Sequence, residues 1–408
     1  MPLTLKLAWR NVRRNMRRTV LCGLAVGIGL ASLIFMDAIF EGMFQNMIRN
    51  ATHTFLGEGQ IHMKGFMDTM EPELVINSPE EVLQGLSKEP TLDAYTPRTV
   101  SFGMISSAAN VGSIGLYGIS PESESKISMI DEAIINGSFL GPDDKGLIMI
   151  GYRLADTVEV QLGDRVVVTV AQAGTGELSQ EMFRVGGIFR FNVREVDSAM
   201  AFIHIDRARS MLALPGGTHE IALSFKDLND AGDRANPLWA RYSNKGNMAE
   251  SWRDLVPQLD SVLELSGMST AIMMTLIFSV VALTVMNTLF MSLYERIYEF
   301  GVLRAIGTRP GRMAGVVMLE AACLALISIG IGIVIGVVFL IYFGEHGIDY
   351  TGIEFAGVTL TEPIYPVIMT RQFTYIPLMV FSFALVAAIY PAFFASKLKP
   401  SEAIRRSL

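Results

Sequence analysis

Residues 7–40 read LAWRNVRRNMRRTVLCGLAVGIGLASLIFMDAIF, and the change of chemistry after Thr19 decides the kind of fold. Residues 1–19 carry Lys6, Arg10, Arg13, Arg14, Arg17 and Arg18 and no acid. From about Val20 to Phe40 the chain is apolar apart from Asp37, which matches the roughly 20 residues a helix needs to cross a bilayer core. A positive run followed by an apolar one also opens a secretory signal peptide. This apolar run is too long for that, and Phe35-Met36-Asp37-Ala38 offers no small-x-small cleavage site, so the segment is expected to stay as an anchor. A basic run ending directly at a span sets topology; it is not read as a nucleic-acid surface.

Three further stretches are long and apolar enough to span, about Ala271 to Leu293, Ala314 to Phe343 and Phe373 to Ala395. They account for 50% hydrophobic and 18% charged residues over a chain of 408. The mean hydropathy of +0.39 is high for a soluble protein of that size. Orientation follows from the short loops that keep Lys and Arg. Besides the N-terminal six, the loop Tyr294 to Met313 has Arg296, Arg304, Arg309 and Arg312, and the tail has Lys397, Lys399, Arg405 and Arg406. The loop Gly344 to Gln372 has only Arg371 against Glu345, Asp349, Glu354 and Glu362. The expected layout has both termini and 294–313 cytoplasmic, and 41–269 and 344–372 outside. Spans fall at 20–40, 271–293, 314–343 and 373–395, with a tail at 396–408. Leu5, Trp9, Val12 and Met16 recur at helical spacing, so 1–19 is expected to be an amphipathic basic helix on the inner membrane surface.

Residues 41–269 hold 18 basic and 31 acidic side chains, a net of −13, which reads as an acidic domain inserted into a basic-flanked membrane frame. Strand patterns occur at Gln60 to Lys64, Ile114 to Ile119, Arg165 to Val170, Phe183 to Phe189, Ala199 to Ile203 and Glu220 to Phe225. Helical patterns lie at Pro79 to Leu86, Gly151 to Val158, Ile205 to Leu212 and Trp252 to Leu265. The fold class is therefore integral membrane α-helical, four transmembrane helices with a large α+β extracytoplasmic domain between helices 1 and 2. Ala173-Gly174-Thr175-Gly176 reads as a hairpin tip and not a phosphate loop. No catalytic constellation stands out. Cys22 and Cys323 both sit in apolar runs, the five histidines lack zinc-ligand spacing, and no metal site is expected. The string G-x-x-x-x-G-K-[ST] does not occur, so ATP hydrolysis by that route is not expected of this chain.

Several residues inside or beside the spans carry readable chemistry. Gly23 and Gly27, and Gly332 and Gly336, form two G-x-x-x-G pairs that suit close helix packing. Asp37 and Glu320 are the acids within the spans; Asp37 is expected to reach water at the outer end, and Glu320 to pair with Arg304 or Arg312. Asn287, Thr284 and Thr288 are expected to hydrogen-bond across helices. In Tyr294-Glu295-Arg296-Ile297-Tyr298-Glu299-Phe300-Gly301-Val302-Leu303-Arg304-Ala305-Ile306-Gly307, the residues Ile297, Phe300, Leu303 and Ile306/Gly307 are expected on one helical face. Glu295, Arg296, Glu299 and Arg304 are left to water or a partner. Gly307 suits a helix stop, and Thr308 with Pro310 the next start.

The chain resembles the FtsX-like ABC transporter permeases, in the branch of MacB-type exporters and lipoprotein-releasing (Lol) permeases. The resemblance rests on LAWRNVRRNMRRTVL, ERIYEFGVLRAIG, LEAACLALISIGIGIVIG and YPAFFASKLKPSEAIR, in the family's order. It implies a multi-pass protein of the bacterial inner membrane. Glu295, Arg296, Tyr298, Glu299, Phe300, Gly301, Leu303, Arg304, Ala305, Ile306 and Gly307 would form a coupling helix docked on a separate ABC ATPase. Two ATPase copies, holding ATP and Mg, would pair with two permeases, identical or homologous; this chain would carry no cofactor. ATPase closure would tilt the first two spans and move the outer domain, which is mechanotransmission. The cargo would be lipidated or amphipathic, such as a lipoprotein, with a periplasmic carrier as a further partner, though the tip around Gly174 to Glu181 is short for recruiting one. An acyl chain would suit Ile34, Phe35, Ile39 and Phe40, each buried methylene contributing about 0.8 kcal/mol. The alternatives are MacB-type drug or peptide efflux, or a regulator passing ATPase motion to an outer partner. On this basis Glu299→Lys or Gly301→Trp is expected to uncouple the complex without touching the core.

Overall fold

The computed structural model describes residues 10, 11, 14, 16–350, 354–355, 358–359 and 363–398. Leu5, Lys6, Trp9, Val12 and Arg13 of the expected surface helix, and Lys399, Arg405 and Arg406 of the tail, lie outside these residues. Two compact units are present: Met1–Asn46, Leu263–Thr351 and Thr361–Leu408 in one, Met47–Val262 and Gly352–Leu360 in the other.

Among the described residues four helices are long and apolar enough to cross a membrane, and their cores lie in the first unit. They run Met16–Ala51, Pro257–Glu295, Pro310–His346 and Thr370–Ser396. Each extends past its apolar stretch, because a helix continues through polar residues as long as its backbone hydrogen bonds are made. The second helix begins at Pro257, and the helical pattern expected over Trp252 to Leu265 is therefore interrupted: a short Trp252–Leu255 helix comes first. Proline lacks the amide needed to continue a helix but suits its first turn.

The first and third helices meet through their glycines. A Cβ on Gly332 would stand 2.8 Å from the Gly27 carbonyl oxygen, and one on Gly27 3.1 Å from the Ser328 carbonyl oxygen. The two backbones touch, which only missing side chains allow. Gly23 lies against Ile331, whereas Gly336 sits at ordinary contact distance from Ala31 and Ile34. Further along the first helix the Val367 amide donates to the Ala38 carbonyl at 2.9 Å. There a Cβ on Gly42 would stand 2.0 Å from the Tyr365 carbonyl oxygen.

The second unit is α+β. Besides a separate two-stranded ribbon, β11 Glu354–Phe355 and β12 Val358–Thr359, its strands are β1 Gly59–Met63, β2 Leu92–Ser106, β3 Val111–Ile119, β4 Ile134–Gly137, β5 Leu147–Gly151, β6 Arg165–Ala171, β7 Leu178–Phe189, β8 Met200–His204, β9 Glu220–Phe225 and β10 Asn247–Ser251. They pair in the order β10-β1-β9-β2-β3-β8-β5-β7-β4, and β6 bridges β7 back to β2. The ladder β2-β3-β8-β5-β7-β6 thus closes on itself. Ile105, Leu116, Ile150, Val168, Phe183 and Ile203 belong to one buried apolar cluster of these strands. The six strands expected from sequence are all present; β2, β4, β5, β10, β11 and β12 are not among those expected. β2 contains Pro97, which argues against a central strand, yet Pro97 lies opposite Ile221 in the β2–β9 ladder. β2 is long because it serves two stretches of the one sheet, pairing with β9 at its start and with β6 at its end.

A cluster of charges is enclosed in this unit around Arg98. Arg98 on β2 donates to both oxygens of Glu124 at 3.0 and 2.7 Å, to Glu220 at 2.5 Å and to the Phe55 carbonyl at 2.6 Å. Its guanidinium carbon lies 3.8 Å from the Phe55 ring centroid, a cation–π contact. Burial works against the Arg98 charge, but Glu124 and Glu220 outweigh it and hold its pKa above the ordinary arginine value.

Candidate functional site

The loop between the second and third spanning helices folds as a short helix, Ile297–Ala305. Arg296 joins it to the second helix with a backbone that leaves the helical region, at φ −117° and ψ 16°. At its other end Gly307 has φ +93°, a conformation that favours glycine. The third helix is capped by Arg309, one residue after the expected Thr308, with Pro310 in its first turn.

The inward face is Ile297, Phe300 and Gly301, with Arg304 half-buried, a stripe at i, i+3, i+4 and i+7. This corrects the face read from the sequence. A strict three-residue repeat drifts about 60° per step on a helix of 3.6 residues per turn, so Leu303 turns away and Ile306 ends opposite Ile297. Phe300, 2% exposed, packs with Leu293, Met313, Val317, Ala392 and Ala395. Tyr298 is 50% and Ile306 75% exposed, and Val302, Leu303 and Ala305 are exposed beside them. Gly301 is buried, so Gly301→Trp would disrupt the core and does not isolate a docking effect.

The charged residues are also more engaged than the sequence indicates. Arg18 pairs with Glu295 at 2.8 Å, and Arg14 with Glu299 at 3.0 Å. Arg296 is not left to water: its Nε lies 3.0 Å from Glu299 and its Nη1 3.3 Å from Glu320. Glu320 therefore pairs with Arg296, not with Arg304 or Arg312, and its other oxygen accepts from Ser292 Oγ at 2.9 Å. Arg304 instead donates to the Thr308 carbonyl at 3.3 Å. Burial works to raise the Glu299 carboxyl, but the hydrogen bonds from Arg296 and Arg14 and their charges outweigh it and hold its pKa below the ordinary carboxylate value.

The remaining predicted residues are dispersed. Ile34 is fully buried against the third helix near Gly336, and Phe35 packs on Phe339 and Phe343 at ring distances of 5.9 and 5.1 Å. Ile39 and Phe40 keep part of their surface, and Phe40 stacks on Phe44. Asp37 accepts from Gln372 at 3.1 Å and lies 3.4 Å from Arg371, which also holds Glu41 at 2.9 Å. Thr284 donates to the Val280 carbonyl of its own helix, Thr288 donates to the Thr284 carbonyl and also meets Cys22 of the first helix as expected, and Asn287 is exposed. Among the described residues no three His, Cys, Asp or Glu side chains converge as a metal site requires. The Arg98 cluster and the close approach at Gly42 are not legible in the sequence, since each depends on residues far along the chain.

The MacB-like periplasmic core domain family matches residues 19–235, and the FtsX-like permease C-terminal family matches 271–400. The chain is 23% identical to the lipoprotein-releasing system transmembrane protein LolC of Xylella fastidiosa over 99% of both chains. It is also 23% identical to the LolC of Neisseria meningitidis serogroup B, over 93% of this chain and 92% of that one. The periplasmic region of MacB from Actinobacillus actinomycetemcomitans aligns at 15% identity with a TM-score of 0.37, covering 53% of this chain and 98% of that one. Since the first match takes in more than half of its residues and the second covers the last three spans, the chain belongs to the MacB-like periplasmic core domain family and is an FtsX-like ABC transporter permease of the MacB and Lol type.

Proposed function

We propose that this permease couples ATP hydrolysis by two copies of a separate ABC ATPase to release or export of a lipidated or amphipathic cargo such as a lipoprotein, acting with a second permease in the bacterial inner membrane. Both termini and the Ile297–Ala305 helix face the cytoplasm, and ATP with Mg binds the ATPase. The observation that carries the reading is the exposed apolar face of that helix, Tyr298, Val302, Leu303 and Ile306, on an element whose opposite face is packed on the spans. An apolar patch rimmed by charge suits a protein partner. Transmission by helix movement is supported by the lengths of the first and second spanning helices, 36 and 39 residues, against the roughly 20 needed to span. A lipoprotein cargo is supported by the names of the Lol relatives, and Phe35, Ile39 and Phe40 are the proposed acyl contacts.

The test is ATP-driven release of a fluorescent triacylated lipopeptide from proteoliposomes holding the permease and its ATPase. Ile306→Asp or Tyr298→Asp is expected to lower release at least tenfold, since each puts a charge on the docking face without touching the core. Undiminished release by both variants would remove the coupling assignment. Vigorous ATP hydrolysis with no release in the unaltered complex would favour the regulator instead.

A further inference from the structure

We propose that Arg296 and Glu320 form the pivot of the coupling helix, so that the third spanning helix moves as one body with Ile297–Ala305. The proposal rests on the coupling reading above and adds positioning residues to it.

Three observations converge. Arg296 is the single residue between two helices, where the backbone is free to bend. Its side chain is nevertheless held: 9% exposed, it reaches Glu320 and Glu299 and lies 5.2 Å from the Phe300 ring centroid. Glu320, 5% exposed, receives Ser292 on one oxygen and Arg296 on the other. Ser292 and Arg296 are four residues apart, so one carboxylate of the third helix grips the last turn of the second helix and the joint beyond it. Phe300 then packs on Met313 and Val317, which share a helical face with Glu320.

A hinge would ordinarily let the coupling helix swing without moving its neighbours. Here the joint residue is tethered sideways, so a push on the helix is passed to the third span. A buried ion pair adds little to stability compared with apolar replacements of similar volume, and one retained role for such a pair is to set register. Removing one partner leaves a buried charge, whereas removing both does not.

The experiment compares Arg296→Met, Glu320→Leu and the double variant in the permease–ATPase proteoliposomes, reading thermal stability and lipopeptide released per ATP hydrolysed. The single variants are expected to lose stability. The double variant is expected to regain it while release per ATP stays at least tenfold below the unaltered protein. A double variant that recovers both would reduce the pair to packing and overturn the proposal. Should it fail to fold, Glu320→Gln serves with spin labels at Ala305→Cys and Leu326→Cys, both exposed positions outside the docking face, after Cys22 and Cys323 are replaced by serine. The label distance should stay constant on ATP addition in the Glu320 background and spread in the Glu320→Gln background. A distance that changes with ATP in the former, or is unaltered by the substitution, overturns the pivot. If Ile306→Asp uncouples release while the double variant keeps it, the pivot alone fails. If Ile306→Asp is without effect, the coupling reading fails first.

Discussion

Arg98 and Arg296 are both enclosed arginines facing carboxylates, yet they are built for different ends. Arg98 sits in a strand ladder opposite Glu220, and its donors are taken by Glu124, Glu220 and the Phe55 carbonyl. Glu124 is wholly buried and Glu220 nearly so, and burial pushes the Glu220 carboxyl up despite the guanidinium beside it. Any displacement there would strand a charge in the interior. Arg296 instead divides itself between buried Glu320 and half-exposed Glu299, which is shared with Arg14. Water screens the Glu299 side of that arrangement, so it can yield there while the buried Glu320 contact holds. Saturation makes a lock, and sharing at a helix joint makes a pivot.

The sharpest way to break the comparison is Arg98→Met. It leaves two buried carboxylates facing no cation and is expected to cost about 3–5 kcal/mol, read as a lowered thermal midpoint of the full chain in detergent. A loss under about 1 kcal/mol would show that water reaches the cluster and that it is no lock. Glu124→Gln with Glu220→Gln in the same background should recover part of the loss.

Next in size is Gly332→Leu, which forces apart the first and third helices and is expected to cost about 1–3 kcal/mol. Gly330, two residues away, has nothing within 4 Å of an added Cβ, so Gly330→Leu is the matched control and should change little. Equal effects from the two substitutions would deny the close approach at Gly27.

The smallest effect separates two buried histidines. Burial holds the His219 pKa below its ordinary 6.5, against weaker upward pulls from the Pro72 carbonyl and Glu73. The unfolded chain then takes up a proton first as pH falls through 6.5, so this group lowers stability in acid. At His62 burial is outweighed by hydrogen bonds to Glu250 and the Met63 carbonyl and by the charges of Glu250 and Glu220, and its pKa is raised. Its contribution is present below the unfolded value and is lost as pH rises through the folded one. Melts of His219→Gln from pH 8 to 5 should therefore fall less steeply towards acid than those of the unaltered protein. Coincident slopes would contradict the assignment.

Much of this was legible because hydropathy and turn chemistry are local. The spans, the six strands and the stop at Gly307 rest on residues near in sequence. The face of the Ile297–Ala305 helix was misread because a short helix gives too few turns to separate a repeat of three from one of 3.6. The partner of Glu320 was misread because Arg304 and Arg312 are nearer in sequence to it, whereas burial of the joint brings Arg296 to it. β2 went unseen because Pro97 argues against a strand, and its pairing with both β9 and β6 is set by residues far along the chain.

Composition and order alone determined that this chain has four lipid-length helices, a basic flank and an acidic α+β insert, since transfer to a bilayer depends on what a segment contains. Only the tertiary structure decided which charges meet. An ion pair depends on distances of a few ångströms between side chains that the sequence holds dozens of residues apart, and those distances exist only once the helices and strands have packed.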